Sequence, residues 1–147
     1  MILRELFRGE ASLASRALRE LRPDCAPFAT PKAFDRWIDD VQRAEGYRIV
    51  ASFAEGTRDA VAVIGFRHQH SLAAGHYCYV EDVIALPEAR KDGHAQALME
   101  WVVADARQAG CARVDLNSGV GRQPAHRFYM NARFGISAFH FTREIVA

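Results

Sequence analysis

A chain of 147 residues has the size of one domain, and we expect a single domain with its own buried core over residues 1–147. Hydrophobic residues make up 50% of the chain and charged residues 25%, which excludes an intrinsically disordered protein. A formal net charge of +1 gives no general attraction to nucleic acid or to a membrane surface, so neither is expected as a partner. Any anion site must therefore be local.

The cysteines and the N-terminal segment predict a cytoplasmic protein. Cys25, Cys78 and Cys111 are odd in number and form no CxxC pair, so their spacing predicts neither a disulfide framework nor a zinc site. Residues 1–10 carry charges every few positions and lack the apolar core of a secretory signal. No apolar run approaches the length of a membrane-spanning helix.

The first third of the chain is predicted to form a strand and two helices. Residues 1–7 have the character of an edge strand, and apolar residues recur at helical spacing from Glu10 to Leu21. Thr30 is a suitable N-cap in front of Pro31, and the helix that begins there is predicted to end before Gly46. The apolar face of this second helix would carry Phe34, Trp37, Ile38 and Val41.

The hydrophobic pattern then changes from helical to extended. Tyr47–Ala54, Ala60–His70 and Tyr77–Leu86 are predicted as strands, with turn residues between them. Because the intervening segments are short, we expect these three strands to form an antiparallel meander.

The remaining elements alternate between helix and strand. Residues 93–109 are the most strongly helical segment, followed by a strand at 111–117, a helix at 122–133 and a last strand at 136–145. The predicted fold class is therefore α/β, with a mixed sheet in which the meander precedes a β-α-β crossover and helices cover both faces.

The loop from Arg90 to Ala95 leads into the helix at 93–109. A helix N-terminus has unpaired N–H groups and a partial positive charge, and therefore attracts anions. Gly93 would let a ligand approach the backbone closely, and Arg90 and Lys91 add cationic side chains. These features suit a pyrophosphate, although the pattern alone is also typical of an ordinary strand-to-helix turn.

Glu81 and Asp82 are adjacent carboxylates in the middle of a predicted strand. Strict alternation would place their side chains on opposite faces, with Glu81 on the face of Tyr79. A strand covered by helices is normally apolar on both faces, so at least one carboxylate must reach solvent, a partner or a cleft. Glu81 is therefore either a chemically active group or a carboxylate paired with a nearby arginine or histidine.

Two motifs in residues 45–145 resemble the GNAT N-acetyltransferase superfamily. Arg90-Lys91-Asp92-Gly93-His94-Ala95 is similar to its Q/R-x-x-G-x-G/A loop, and Ala125-His126-Arg127-Phe128-Tyr129 with Phe134-Gly135 is similar to its A-x-x-F-Y…G-F segment. Both motifs occur in the family's order, with the expected elements between them.

The resemblance implies a GNAT-like fold that uses acetyl-coenzyme A, without a metal. It implies that the loop binds the pyrophosphate and that the strand end binds the pantetheine arm through its backbone, while Asn117 could add a polar contact. It implies catalytic roles for Glu81, which would deprotonate the amine, and for Tyr129, which would meet the departing sulfur; the alternative for Tyr129 is an aromatic core pair with Phe128. The implied cofactor-binding residues are Val83, Ile84, Ala85, Arg90, Lys91, Asp92, Gly93, His94, Ala95 and Asn117.

The chain departs from the family pattern at two positions. Asp92 stands where the family often has a cation or a glycine, and Arg122 stands where it often has an asparagine, seven residues before the tyrosine. His68 and His70 alternate on one strand face, but no carboxylate or cysteine stands at ligand spacing beside them, and we expect no metal site there.

The resemblance implies transfer of an acetyl group from acetyl-coenzyme A to a primary amine of a small molecule or protein, by direct attack in a ternary complex. The alternative is a non-catalytic coenzyme A-binding regulatory module with the same fold. The apolar terminal strand could also pair between subunits, which would make the protein a homodimer.

Overall fold

The computed structural model describes residues 1–146 and contains a five-stranded mixed sheet. In their order across the sheet, the strands are β1 (Ile2–Leu6), β2 (Arg48–Phe53), β3 (Ala62–Ser71), β4 (Gly75–Ala85) and β5 (Val114–Leu116). Antiparallel pairing joins β1 to β2, β2 to β3 and β3 to β4, whereas β5 lies parallel to β4. The predicted α/β class, the meander and the crossover are confirmed.

Four α-helices accompany the sheet, and short irregular helical turns extend two of them. The Oγ1 of Thr30 accepts a hydrogen bond from the backbone N–H of Ala33 at 3.0 Å, as expected for an N-cap. The helices are α1 (Ser15–Leu21), α2 (Pro31–Arg36), α3 (His94–Gln108) and α4 (Gln123–Asn131). A 3-10 turn precedes α1 (Ala11–Ala14), a π-helical turn (Trp37–Gln42) and a 3-10 turn (Arg43–Glu45) continue α2, and further 3-10 turns lie at Ala26–Ala29 and Pro87–Ala89.

The helices α1 and α2 pack on one face of the sheet. Phe34 and Ile38 are buried there as predicted, but Trp37 and Val41 are 45% and 40% exposed. The π-helical turn that begins at Trp37 explains the difference, because it changes the angular spacing between successive side chains. The buried cluster on this face includes Leu6, Leu18, Phe28, Phe34, Ile38, Tyr47, Ile49, Ala51, Val63 and Ile84.

The helix α3 packs on the opposite face. Its buried side chains at Leu98, Met99, Val102 and Ala106 agree with the predicted face. Asp105 on the same helix binds Arg48 of β2, and the guanidinium of Arg48 also lies over the Phe66 ring of β3. The two layers of helices therefore contact opposite sides of the same strands.

A β-bulge at Glu81 interrupts the pairing of β3 with β4. Gly65 pairs with Asp82, whereas the next residue, Phe66, pairs with Val80, so the register passes over Glu81. A bulge rotates the strand locally and redirects its side chains. The predicted strict alternation is therefore wrong: Glu81 contacts Arg67 and Asp82 contacts Tyr47, both on the side of α1 and α2.

The chain divides into two compact units, with the boundary between Leu116 and Asn117. The sheet and α1–α3 belong to the first unit, and α4 belongs to the second.

The strand predicted at 136–145 is not formed, since residues 136–146 contain neither helix nor strand. Alternating apolar side chains favour a strand only when a neighbouring backbone is available for pairing. Of the helices within residues 1–146, none combines the length and apolar character needed to span a bilayer.

We predict that Gly65→Ala destabilises the protein by about 3 kcal/mol, because the added methyl would overpack the core. A Cβ at this position would lie 1.8 Å from Tyr47 Oη and 2.4 Å from Cζ, and the Tyr47 side chain is fully buried. Equilibrium unfolding in urea measures the loss. Gly121→Ala is the matched control, because a Cβ there meets no atom of residues 1–146 within 4 Å. Equal stability of the two variants would contradict the prediction.

Candidate active site

The N-terminus of α3 is open at the loop that leads into it. Gly93 occupies the N-cap position with a φ of 82°, and within residues 1–146 no side chain caps this end of the helix. The first N–H groups of a helix have no partner within it, so they remain available to an anion. Lys91 also has a positive φ, 72°, which an L-residue adopts at some energetic cost. The loop therefore has an unusual backbone shape and exposed donors at its end.

His94 contributes to this loop through its backbone rather than its ring. The side chain is buried, and its Nδ1 lies 2.7 Å from the Oγ of Ser52 in β2. This contact holds the first turn of α3 against β2. Ala95 follows as a small, half-buried residue, while Arg90, Lys91 and Asp92 are exposed.

The C-terminal half of β4 has one unpaired edge. On one side, Val83, Ile84 and Ala85 pair with β3. On the other side, the pairing of β5 with β4 extends from Cys78 to Val80 in the part of the chain that the structure describes. Beyond Val80 this edge offers backbone donors and acceptors that an extended ligand could pair with.

Glu81 lies where that unpaired edge begins, and Arg67 of β3 holds its carboxylate. Arg67 Nη2 donates to Glu81 Oε2 at 3.1 Å, and Arg67 Nε lies 2.5 Å from Oε1. The Arg67 side chain is only 9% exposed, whereas that of Glu81 is 25% exposed. The structure thus places Glu81 in the salt bridge that the sequence left open as an alternative, while part of its side chain remains exposed.

Asp82 is buried beside Glu81 and is fully engaged. Tyr47 Oη donates to Asp82 Oδ2 at 2.7 Å, and Arg22 Nε of the α1 C-cap donates to Oδ1 at 2.9 Å. Arg22 also donates to the backbone carbonyl of Glu81 at 3.0 Å. Burial, and after it the Asp82 carboxylate, raise the pKa of the Tyr47 phenol well above 10.0. This network fixes the backbone of the bulge that carries Glu81.

Tyr129 and Asn117 belong to the second unit. Tyr129 is half-buried on α4, and its ring contacts those of Phe128 and Phe134 edge-on, at centroid distances of 5.4 and 5.9 Å. Asn117 Nδ2 lies 3.1 Å from His140 Nδ1. The rings of Phe128 and Tyr129 therefore contact each other, but neither side chain is fully buried, so they do not form the aromatic core pair of the alternative.

A comparison with protein families decides the classification. The model of the acetyltransferase (GNAT) family matches residues 14–136, which is well over half of the chain. The chain belongs to the GNAT acetyltransferase family. The resemblance of its two motifs to that family is thereby confirmed.

Curated relatives and solved structures agree with this assignment. Aminoalkylphosphonate N-acetyltransferase of Salmonella typhimurium is 32% identical over 66 residues, which cover 45% of this chain and 43% of that protein. The uncharacterized N-acetyltransferase YhdJ of Bacillus subtilis is 29% identical over 85 residues, 57% of this chain and 60% of its own. Both matches span less than two thirds of the relative. The crystal structure of an acetyltransferase of Trypanosoma brucei shares the fold, with a TM-score of 0.80, 22% identity, and coverage of 98% of this chain and 99% of that one.

Sequence reasoning missed the residues that hold the two carboxylates of this GNAT protein. Arg67 lies on β3 beside its partner Glu81 on β4, whereas Tyr47 precedes β2 and reaches Asp82 of β4 across β3. The arginine in the run Ile64-Gly65-Phe66-Arg67 is a usable signal, because a buried cation within a sheet requires a carboxylate partner. Identifying which carboxylate requires the register, which the bulge shifts by one residue.

We predict that Tyr47→Phe destabilises the protein by about 1–3 kcal/mol at pH 8, because it leaves Asp82 with one donor fewer. The pH dependence should also change. The raised pKa means that the folded state keeps the Tyr47 proton at higher pH than the unfolded chain does, so stability falls as pH rises above about 10. The free energy of unfolding, measured with denaturant at pH 8 and 10.5, should fall between these pH values in the wild type but not in Tyr47→Phe.

Tyr77→Phe provides the control for that measurement. Tyr77 is half-buried and donates to Gln69 Oε1 at 2.7 Å, so this variant also loses a phenol hydrogen bond. The free energy of unfolding of Tyr77→Phe should still fall above pH 10, as it does in the wild type. If Tyr47→Phe declined as steeply as Tyr77→Phe, the buried network would not control the pH dependence.

Proposed function

We propose that this protein transfers the acetyl group of acetyl-coenzyme A to a primary amine of a small molecule or a protein, by direct attack within a ternary complex. The proposal rests on one continuous stretch of this GNAT family member, residues 81–95. Glu81 stands at the start of the unpaired edge of β4, and the same stretch leads through the 90–95 loop to the open N-terminus of α3. A base, an extended backbone edge and an anion site thus follow one another.

The residues of the loop fit the pyrophosphate of coenzyme A. A Cβ on Gly93 would meet no atom of residues 1–146 within 4 Å, so the space above the helix N-terminus is open. The backbone N–H groups that begin α3 would donate to the phosphate oxygens, and Arg90 and Lys91 would supply cations. Asp92 opposes this binding, because its carboxylate is exposed in the same loop.

The edge of β4 fits the pantetheine arm in the same way. Val83, Ile84 and Ala85 offer backbone groups along this edge, and an arm that contains two amides can pair with them as an added strand would. Arg90 Nε lies 3.4 Å from the Ala85 carbonyl, which keeps that side chain close to the path from the strand to the loop. Acetyl-coenzyme A supplies the reactive acetyl thioester.

Glu81 accepts the proton of the incoming amine, directly or through a water molecule. An alkyl ammonium cannot attack a carbonyl until it loses a proton, so a base within reach is required. Arg67 is a positioning residue in this scheme, because it occupies one side of the carboxylate and leaves the exposed part for the amine or water.

Tyr129 donates its phenol proton or a hydrogen bond to the departing sulfur. A thiol has a pKa near 8.5, so its thiolate is already a fair leaving group and the donor's contribution is modest. The position of Tyr129 in the A-x-x-F-Y segment supports this role, and its edge-on contact with Phe134 orients the ring.

We predict that Gly93→Glu weakens coenzyme A binding at least about tenfold relative to Gly93→Ala, because a carboxylate would stand at the helix N-terminus. Gly93→Ala is the matched control, since both variants carry a Cβ at a φ of 82°. Isothermal titration with coenzyme A measures the difference. Asp92→Lys should tighten binding and make it more sensitive to salt. Equal affinities for Gly93→Glu and Gly93→Ala would remove the pyrophosphate from this loop.

We predict that free thiol is released from acetyl-coenzyme A in the presence of a suitable amine, and that two variants slow this release. Glu81→Gln should lower kcat/KM by about 10²–10⁴-fold, because the amide cannot accept the amine proton. Tyr129→Phe should lower kcat by a smaller factor while coenzyme A affinity stays close to that of the wild type. A panel of small amines and of peptides with free N-termini or lysines tests the acceptor class.

The control for both variants is Glu100→Gln, which removes an exposed carboxylate of α3 that contacts Gln96. It should leave thiol release unchanged. Wild-type turnover in Tyr129→Phe would exclude Tyr129 from the mechanism. If coenzyme A binds tightly but no amine in the panel releases thiol, the regulatory coenzyme A-binding module becomes the better description.

A further inference from the structure

Three potential metal ligands that are distant in sequence lie together on the α3 side of the sheet. They are His68 of β3, His76 of β4 and Cys111, which follows α3. One ligand atom from each of the three residues lies within 4.8 Å of the other two. His76 Nε2 and Cys111 Sγ are 3.7 Å apart. All three side chains are half-buried, so the group is neither a surface cluster nor part of the dry core.

The fold fixes these three positions through backbone hydrogen bonds. In the β3–β4 hairpin, His70 pairs with His76 and His68 pairs with Cys78, so the two histidine side chains share a face. Cys111 N–H donates to the Ala106 carbonyl at 2.9 Å, which ties the cysteine to the end of α3. The next residue, Ala112, donates to the His76 carbonyl at 2.7 Å, which brings the cysteine next to His76.

We propose that His68, His76 and Cys111 bind a divalent transition-metal ion, and that Zn²⁺ is the ion that suits them best. Two imidazole nitrogens and one thiolate are the donors that zinc prefers, at metal–ligand distances of about 2.0–2.3 Å. In a tetrahedral site those lengths separate nitrogen from sulfur by roughly 3.6 Å. The observed 3.7 Å between His76 and Cys111 matches this separation. The third ligand needs a shift of an ångström or so to close the site.

An unsatisfied nitrogen points to the same site. His68 Nε2 is buried and, within residues 1–146, makes no hydrogen bond of acceptable geometry, although Asp105 Oδ2 lies 3.0 Å away. A buried imidazole nitrogen that meets a carboxylate only at poor hydrogen-bond geometry is uncommon, and such a position suits an ion. A metal bound to this nitrogen would satisfy it. Asp105 Oδ2, 3.0 Å from that nitrogen, would then lie close enough to offer an oxygen to the ion.

The charges around the cluster favour a cation. Arg48 binds Asp105 through Nη1 and Nη2 at 2.8 and 3.0 Å, and it binds Glu5 through Nε at 2.8 Å. The positive charge of Arg48 and the negative charges of Asp105 and Glu5 sum to a net charge of −1. Burial and the Asp105 carboxylate raise the pKa of the Cys111 thiol, so its negative charge appears when the ion displaces the thiol proton, and a divalent ion then neutralises both charges.

The proposed metal site is separate from the proposed acetyl-transfer site. His76 stands five residues before Glu81 on β4, which is roughly 17 Å along an extended strand. The metal would join the β3–β4 hairpin to the segment between α3 and β5. Its expected effect is to stabilise this end of the sheet. The linear spacing of the cysteines predicts no zinc site because each ligand comes from a different element.

Titration with Co²⁺ tests the proposal on the full chain, tag-free, reduced and freed of metal by chelation. We expect one equivalent of Co²⁺ to saturate the protein with a near-ultraviolet thiolate-to-cobalt band, and Zn²⁺ to displace it. Cys111→Ser should abolish the band, and His68→Ala and His76→Ala should each weaken binding about tenfold or more. Cys25→Ser is the matched control, because Cys25 is an exposed cysteine elsewhere on the chain.

Thermal unfolding with added Zn²⁺ provides an independent readout. Metal that binds only the folded state raises Tm in a concentration-dependent way. At the same Zn²⁺ concentration, Tm should therefore rise less in His76→Ala than in the wild type and in Cys25→Ser, even if Cys111→Ser folds poorly. The proposal is overturned if Co²⁺ binding does not saturate, if it saturates without a thiolate band, or if the band survives in Cys111→Ser.

Discussion

The buried hydrogen bond between the Tyr47 phenol and the Asp82 carboxylate is the constraint on which the rest of the site depends. Gly65 leaves room for the Tyr47 ring, and the ring reaches Asp82 across the sheet. Asp82 pairs with Gly65, and Val80 pairs with the next residue of β3, Phe66. Glu81 lies between them without a pairing partner on β3, so the chain bulges there. Glu81 is thereby turned towards Arg67, on the same side as its neighbour. A glycine and a phenol thus decide the orientation of the proposed base.

The edge of β4 that faces β5 also changes from paired to unpaired at the bulge. Pairing with β5 reaches Val80, and the unpaired edge begins at the next residue, within the chain as described. Bulges increase the local twist and often end pairing, so one distortion both turns Glu81 and separates the two strands. Before this point β4 is held by neighbours on both sides, and after it one side is open. The proposed site therefore lies at the junction of a rigid and an open segment.

Local signals predicted much of this architecture. Thr30 before Pro31, the periodic apolar face of α3 and Gly93 at its N-terminus act within a few residues, so their effects are readable from sequence. The bulge could not be predicted, because it results from packing between β3, β4 and Tyr47. The strand expected at 136–145 failed for a related reason, since alternation describes a side-chain pattern but not the neighbour that must accept the backbone.

The salt bridge of Glu81 with Arg67 is compatible with its proposed role as a base. A carboxylate offers about four lone-pair positions, and the two contacts with Arg67 use one side of the group. A quarter of the Glu81 side chain is exposed, so a water molecule or an amine has room to approach this residue. Arg67 is almost fully covered and cannot follow the carboxylate into solvent. The arginine therefore restricts where Glu81 can point without occupying every acceptor site, and this restriction favours proton transfer along one direction.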